Sequence, residues 1–539
     1  MRRRVARVRK DVPPRRRVRS MRRRFAMGRL SLAVRLGMLL GVLGASAPAL
    51  PDENLPDLGD VSQGLVSPLA ERRAGEQSMQ QLRAGGGYFD DPEVNAYLNA
   101  LGQRLLAGVS GSHPEFLFFA VGSAEINAFA LPGGFVGVNT GLILATRSES
   151  ELASVLAHEI THVTQNHIAR QVGAASNSQI AGMAALLAAL VAARNGSGQA
   201  ASAAISTTMA VQAQSQINFT REHEREADRI GFTLLDQAGF DARAMSGFFE
   251  RLQQAVRGQE GSTPSYLRSH PLTHERVADA QDREASVPYR QVGDSLDFHL
   301  VKALLRSYDG QPEEAVADFT SRLAEKRYQS RTATRYGLAA ALLRAKAYGR
   351  AIREIDELED EGIQHPMLDA MAGQILQQSG QRKAALSRYE RALTRYPQHL
   401  QLVHDYPRTL LQERRFADVV RFAETALQTW AGDAVLHQLA AEAYAALGKP
   451  LQSHRHQGEY YAALGDSSDA IEQFELALRS GSVTASDTGE LLAVETRLKS
   501  LRGNRDQDRK NADAASGGPG LSSMRQAPGG PARPPLNAL

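Results

Sequence analysis

The chain has 539 residues, too many for one hydrophobic core to keep growing, so two or three domains are expected. Its formal charge of +4 comes from the first 35 residues, which hold 15 of the 63 basic side chains and 1 of the 59 acidic ones; the rest carries 48 basic against 58 acidic residues, a balance of −10 that argues against nucleic acid as the main partner. Cysteine is absent, which excludes disulfides, thiolate metal ligands and cysteine nucleophiles, and fits an oxidising compartment.

Residues 1–26 form an arginine-dense, proline-broken leader, and Leu36 to Ala47 is an uncharged, mostly apolar run of secretory length. It is too short to span a bilayer stably and reads as a signal peptide over 1–49, cut after Ala49. Helical periodicity follows over Glu71–Leu82 and Pro92–Ala107, two helices expected to cover a central one. Phe116–Val121 reads as a short strand, and Asn127–Leu131, Pro132-Gly133-Gly134 and Phe135–Asn139 read as strand, tight turn and strand. The edge of such a sheet could bind an extended peptide by adding a strand.

The central helix is Val155–Val163. His158 and His162, four apart, project from one helical face at a spacing that suits a zinc ion. Glu159 points off the ligand axis, where it can hold a water molecule and take its proton. Peptide hydrolysis is the chemistry implied. Ser148-Glu149-Ser150-Glu151 supplies the cap and an acidic first turn. His167, five residues after His162, is rotated away from the ligand face and reads as non-ligating.

Residues 171–217 are rich in Ala, Ser, Gln and Gly around the apolar run Ile180–Ala193, and read as a helical flap or a peripheral contact with lipid or client protein. Beyond it Glu224 and Asp228 share a helical face, so Glu224 could complete a His, His, Glu site while Asp228 fixes a ligand imidazole. Spacing alone leaves His223 and Glu226 as competitors.

His158-Glu159-x-x-His162, Asn127-Ala128-Phe129 with Pro132-Gly133-Gly134, and Glu224-x-x-Ala227-Asp228, in this order, resemble the zinc metallopeptidases that include the CAAX prenyl endopeptidase and the heat-shock membrane protease. The resemblance implies Glu224 as third ligand and one Zn2+ per chain. It is closest, over about residues 55–482, to an exported branch of that family in which a peptidase precedes tetratricopeptide repeats. That branch implies a periplasmic location and work on outer-membrane β-barrel precursors with their assembly machinery, by cleavage and by chaperoning. Ser269-His270-Pro271 also looks like the family's His-Pro element. A neutral His270 near the metal could bond a developing oxyanion, or fill the fourth position until it moves.

A composition shift at 284–297 reads as a boundary. A 34-residue period follows: Ala339, Leu342, Ala351, Ile355 and Leu358 recur as Gly373, Leu376, Ala385, Tyr389 and Ala392, then as Pro407, Leu410, Val419, Ala423 and Ala426, with a further copy at Gly458, Tyr461, Ala470, Phe474 and Ala477. Residues 504–539, rich in Gly, Pro, Ser and Asn, read as a disordered tail. The expected architecture is mainly α: a zincin-like metallopeptidase domain with a small β-sheet over 50–290, then an α-solenoid of tetratricopeptide repeats over 296–482. The rival expectation is a repeat-based chaperone or assembly scaffold with a silenced metal site.

Overall fold

The computed structural model describes residues 67–171, 220–257, 264–480 and 488–516. The expected leader, the flap from residue 172 onward and the chain beyond Ser516 lie outside the described residues. Helices α1 (Pro68–Ala84) and α2 (Pro92–Leu106) each start on a side-chain cap, Ser67 and Asp91, followed by proline in the first turn, where its missing N–H costs nothing. Strands β1 (Leu117–Val121), β2 (Ala128–Leu131) and β3 (Phe135–Asn139) follow. Then come α3 (Thr140–Ala145), α4 (Glu149–Thr164), α5 (220–237), α6 (Ala244–Arg257), α7 (Ser265–Ser269) and α8 (His274–Ser286).

The sheet has the order β1-β3-β2, with β3 parallel to β1 and antiparallel to β2. Gly133 and Gly134 turn the hairpin at φ 75° and 91°, and a Cβ on Gly134 would stand 2.5 Å from the Glu115 carbonyl oxygen, so glycine is required there. Alternation along the strands separates two faces: Phe118, Ala120, Val136 and Val138 join the main core with α2 and α4, while Phe119, Val121 and Phe135 face away from it. Only one of the two early helices therefore covers the central helix. α2 does so; α1 instead packs Met79 on Phe119 and Phe135, on the other face of the sheet.

From Leu296 the described chain is helical pairs: α9 (Leu296–Ser307), α10 (Pro312–Ala324), α11 (Arg331–Arg344), α12 (Tyr348–Asp360), α13 (Pro366–Gln378), α14 (Arg382–Arg395), α15 (Leu400–Gln412) and α16 (Phe416–Ala426). Four more helices follow: α17 (Ala434–Ala446), α18 (Pro450–Ala463), α19 (Ser467–Arg479) and α20 (Thr488–Ser516). The small and large repeat positions meet as their sizes require, since a Cβ on Gly373 would lie 2.2 Å from the Tyr389 ring and one on Gly458 2.8 Å from that of Phe474. Gly458 lies in α18, so this last copy starts half a period late. The alanine-rich α17 is an additional helix inserted before it.

The segment at 284–297, expected as a boundary, is tied to the helices before it. Ser295 bonds Glu149 at the start of α4 through its N–H (3.0 Å) and its Oγ (2.6 Å), and one continuous core runs from Val94 to Ile375. Nor does disorder begin at Asn504: α20 continues to Ser516, anchored by Val494, Leu498 and Leu501 against Ala470 and Phe474. Stretch 504–516 contains neither glycine nor proline, and a helix already nucleated by packing extends through such residues.

Candidate metal centre

Helix α4 is buried on nearly every side from Glu149 to Thr161, so its position is set by neighbours rather than by solvent. Ser148 caps it, its Oγ accepting the Glu151 N–H at 3.2 Å, and the Tyr97 hydroxyl donates to Glu149 at 3.0 Å. Four-residue spacing then brings the Nε2 atoms of His158 and His162 within 2.9 Å of each other. Helix α5 crosses α4 at Gly231, where a Cβ would stand 3.1 Å from the His158 backbone nitrogen. This close approach carries Glu224 to the histidines, its carboxylate oxygens 3.5 Å from His158 Nε2 and 3.5 Å from His162 Nε2.

The end of α7 adds His270, whose Nδ1 is 3.3 Å from His158 Nε2 and 3.0 Å from Glu224 Oε1. All four donors lie within 4.8 Å of one another. A tetrahedral zinc site with arms of about 2.0–2.1 Å has donor separations of about 3.3–3.4 Å, and the shorter distances here, 2.9 to 3.5 Å, bracket that value. The donor set fits a divalent cation. Beside it, Glu159 is 1 % exposed, and its Oε1 accepts no hydrogen bond from the described residues; His270 Nε2 stands 3.4 Å away. A buried, unengaged carboxylate oxygen is costly unless function uses it.

Behind the donors, His158 Nδ1 is 3.0 Å from Asp228 Oδ1. Arg276 from α8 grips Asp228 with Nε at 2.7 Å and Nη2 at 2.9 Å, and its Nη1 lies 2.7 Å from Glu224 Oε2, off the hydrogen-bonding angle. Burial opposes the charged form of Asp228, but the Arg276 guanidinium outweighs it and holds the carboxyl below its usual range. Glu224 behaves alike: burial raises it, while bonds to His158 and His270 pull it well below the ordinary value. Burial also works against a charged His158, yet the Asp228 and Glu224 carboxylates win and lift it to about 10. His162 goes the other way, depressed by burial and by His158, which favours the neutral ring that a metal ligand needs. Around His158 the two carboxylates thus favour positive charge.

Five residues singled out from sequence, His158, Glu159, His162, Glu224 and His270, converge here, with Asp228 directly behind His158. The competitors His223 and Glu226 stand elsewhere: His223 stacks on His167 at 4.2 Å between centroids, and Glu226 Oε2 is 3.2 Å from His167 Nε2. Sequence reasoning gave Arg276 no role, although it lies six residues after His270. His167 stands outside the donor cluster, as expected of a non-ligating residue, but its ring is not turned away from the site. Helix α4 ends at Thr164, Asn166 takes a left-handed φ of 51°, and this reversal returns the His167 ring to His162, Nδ1 to Nδ1 at 3.0 Å.

A buried helix that presents two histidines, a carboxylate brought by a second helix and a buried glutamate beside the first histidine are the parts of a metalloendopeptidase. Residues 92–284 match the model of peptidase family M48. A putative beta-barrel assembly-enhancing protease of Vibrio cholerae is 35 % identical over 442 residues, covering 80 % of this chain and 90 % of that protein. The beta-barrel assembly-enhancing protease of Yersinia pestis is 31 % identical over 449 residues, 80 % of this chain and 90 % of its own length. That of Escherichia coli K12 is 35 % identical over 323 residues, 59 % of this chain and 65 % of its length. The chain belongs to peptidase family M48. Among the described residues no helix is long and apolar enough to cross a membrane.

Proposed function

We propose that this chain is a periplasmic zinc endopeptidase acting in the quality control and assembly of outer-membrane β-barrel proteins, its helical repeats recruiting clients and its metal site removing failures. The observation that carries the catalytic half is the convergence of His158, His162 and Glu224 beside a buried Glu159 with an unengaged oxygen. His158, His162 and Glu224 hold the metal. Bound zinc supplies Lewis acidity toward the scissile carbonyl and a lowered water pKa. Glu159 takes the proton of the attacking water and returns it to the leaving amine. Asp228, fixed by Arg276, orients His158. The outer edge of β2 lies beside α4 and pairs with no other strand among the described residues, so an extended client segment can add itself there. The β-barrel clients and the periplasmic location rest on what the relatives' names say of those proteins, and on the reading of residues 1–49 as a signal peptide.

The scaffold reading keeps one observation in its favour. His270 Nδ1 sits at the fourth corner of the donor cluster, the position that water or a substrate carbonyl would take. We read this as a latent state of the peptidase, opened by displacement of α7. Metal content and casein cleavage of wild type, Glu159→Gln and His270→Ala test both readings. A zinc-loaded wild type no more active than Glu159→Gln favours the scaffold. His270→Ala is expected to cleave casein several-fold faster, and an unchanged rate removes the latch. Trapping clients with Glu159→Gln in the native compartment identifies the substrates; a set without outer-membrane proteins overturns that assignment.

A further inference from the structure

The two helix-borne imidazoles must each present a bare Nε2 to the donor cluster, so each must carry its hydrogen on Nδ1. For His158 the reason is on its far side: Asp228 Oδ1, 3.0 Å from Nδ1, already accepts from Arg276 Nη2 at 2.9 Å and so faces the ring as an acceptor. Among the described residues His162 has no carboxylate in that place. Its Nδ1 faces Nδ1 of His167 at 3.0 Å, and a contact between two imidazole nitrogens does not by itself say which one donates.

For a neutral His167 the other end of the ring decides it. His167 Nε2 is 3.2 Å from Glu226 Oε2, an oxygen that also receives Arg170 Nη1 at 2.9 Å. Glu226 can only accept, so His167 Nε2 carries a hydrogen. A neutral His167 then has a lone pair on Nδ1, which takes the hydrogen of His162 Nδ1 and leaves His162 Nε2 bare toward the donor cluster. With both rings neutral, every nitrogen in the chain Glu226, His167, His162 has a partner of the right kind. If His162 took the other tautomer, two lone pairs would face each other at 3.0 Å while a hydrogen blocked the metal side.

We propose that His167, oriented by Glu226, is the positioning residue that fixes the ligating tautomer of His162, as Asp228 does for His158. The proposal rests on the metal-ligand reading given above. Its mount is rigid: His167 is 3 % exposed and lies flat on His223, the two ring planes 5° apart. An imidazole in this position also has an electrostatic consequence. It orients His162 without placing one more negative group directly behind a site that already gathers Glu159, Glu224 and Asp228.

The test is zinc affinity of the full chain, measured by competition with a chromophoric chelator, in wild type, His167→Phe, His167→Asn and His162→Phe. Phenylalanine keeps the ring and its stacking but offers no acceptor, and loss of such an outer partner is expected to weaken zinc binding about 10–100-fold. Asparagine can place its carbonyl oxygen near where Nδ1 stands and is expected to stay within roughly threefold of wild type, outside that range. A His167→Phe protein that binds like wild type overturns the relay, and so does His167→Asn binding as weakly as His167→Phe. His162→Phe separates this from the reading beneath it: undiminished affinity there overturns the ligand assignment and the relay together, whereas loss there with none in His167→Phe overturns the relay alone.

Discussion

Replacing Arg276 by methionine tests how the centre is held before any metal binds. The guanidinium is 2 % exposed and makes two hydrogen bonds to Asp228, at 2.7 and 2.9 Å, with Glu224 Oε2 a further 2.7 Å away. Methionine fills much of the same volume but leaves two buried carboxylates with His158 as their nearest cationic partner. Removing one member of a buried ion pair costs about 3–5 kcal/mol, because the charge left behind has lost the partner that offset its desolvation. That range is expected for Arg276→Met in urea unfolding at pH 7 with chelator present and an unchanged m-value. The second variant Arg276→Met/Asp228→Asn removes the stranded charge and should recover a large part of the loss. The pH dependence has a definite sign. In wild type the depressed Asp228 pKa makes its contribution complete above the unfolded value of about 3.9, and that contribution is lost only as pH falls through the lower folded value. Without Arg276, burial pushes the carboxyl up and acid unfolding moves to higher pH. A loss below about 1 kcal/mol, or a double variant as unstable as the single one, would refute the reasoning.

Metal removal by chelator is expected to lower the thermal midpoint of wild type and of Glu159→Gln alike, while Glu224→Gln abolishes most of the shift; a metal in 100-fold excess over its dissociation constant stabilises by about 2.7 kcal/mol, readable by calorimetry. In the array, bonds from His456 (2.9 Å) and Tyr444 (2.8 Å) hold the Glu424 carboxyl at about 2, so its contribution is full above roughly pH 4.3 and is lost as pH falls toward 2. Glu424→Gln should therefore differ most from wild type near neutrality and converge with it near pH 2 in urea midpoints. Gly373→Val drives a side chain into the Tyr389 ring and is expected to cost roughly 1–3 kcal/mol while leaving zinc affinity unchanged.

The mainly helical fold with its small sheet was legible because two periods, 3.6 within helices and 34 between repeats, are written directly into residue sizes: Gly373 opposite Tyr389 is a volume statement before it is a structure. Composition failed where packing overrode it. Stretch 504–516 is polar enough to look disordered, but α20 is nucleated upstream by Val494, Leu498 and Leu501. The shift at 284–297 reads as a boundary, but that Glu149 makes two bonds to Ser295 across it is something no local composition reveals.

At the metal centre the same division appears at the scale of single residues. His158 and His162 were readable because their relation is local, one helical turn. Glu224, Asp228 and His270 could be matched by motif, but their meeting depends on α5 crossing α4 at Gly231, which is a property of the assembled core. His167 shows why a correct rule can mislead. Five residues along a continuous helix do turn a side chain away, and the rule fails here because the helix stops first: Asn166, among the residue types that tolerate a left-handed backbone best, reverses the chain at φ 51°. A helix stop is a decision of one residue, whereas helical periodicity is a sum over many, so functional partners just past a helix end are the ones a periodicity argument is most apt to lose. Arg276 is lost for a different reason: it lies in the first turn of α8, after the Thr273 cap, and its partner Asp228 is on an element far away in sequence.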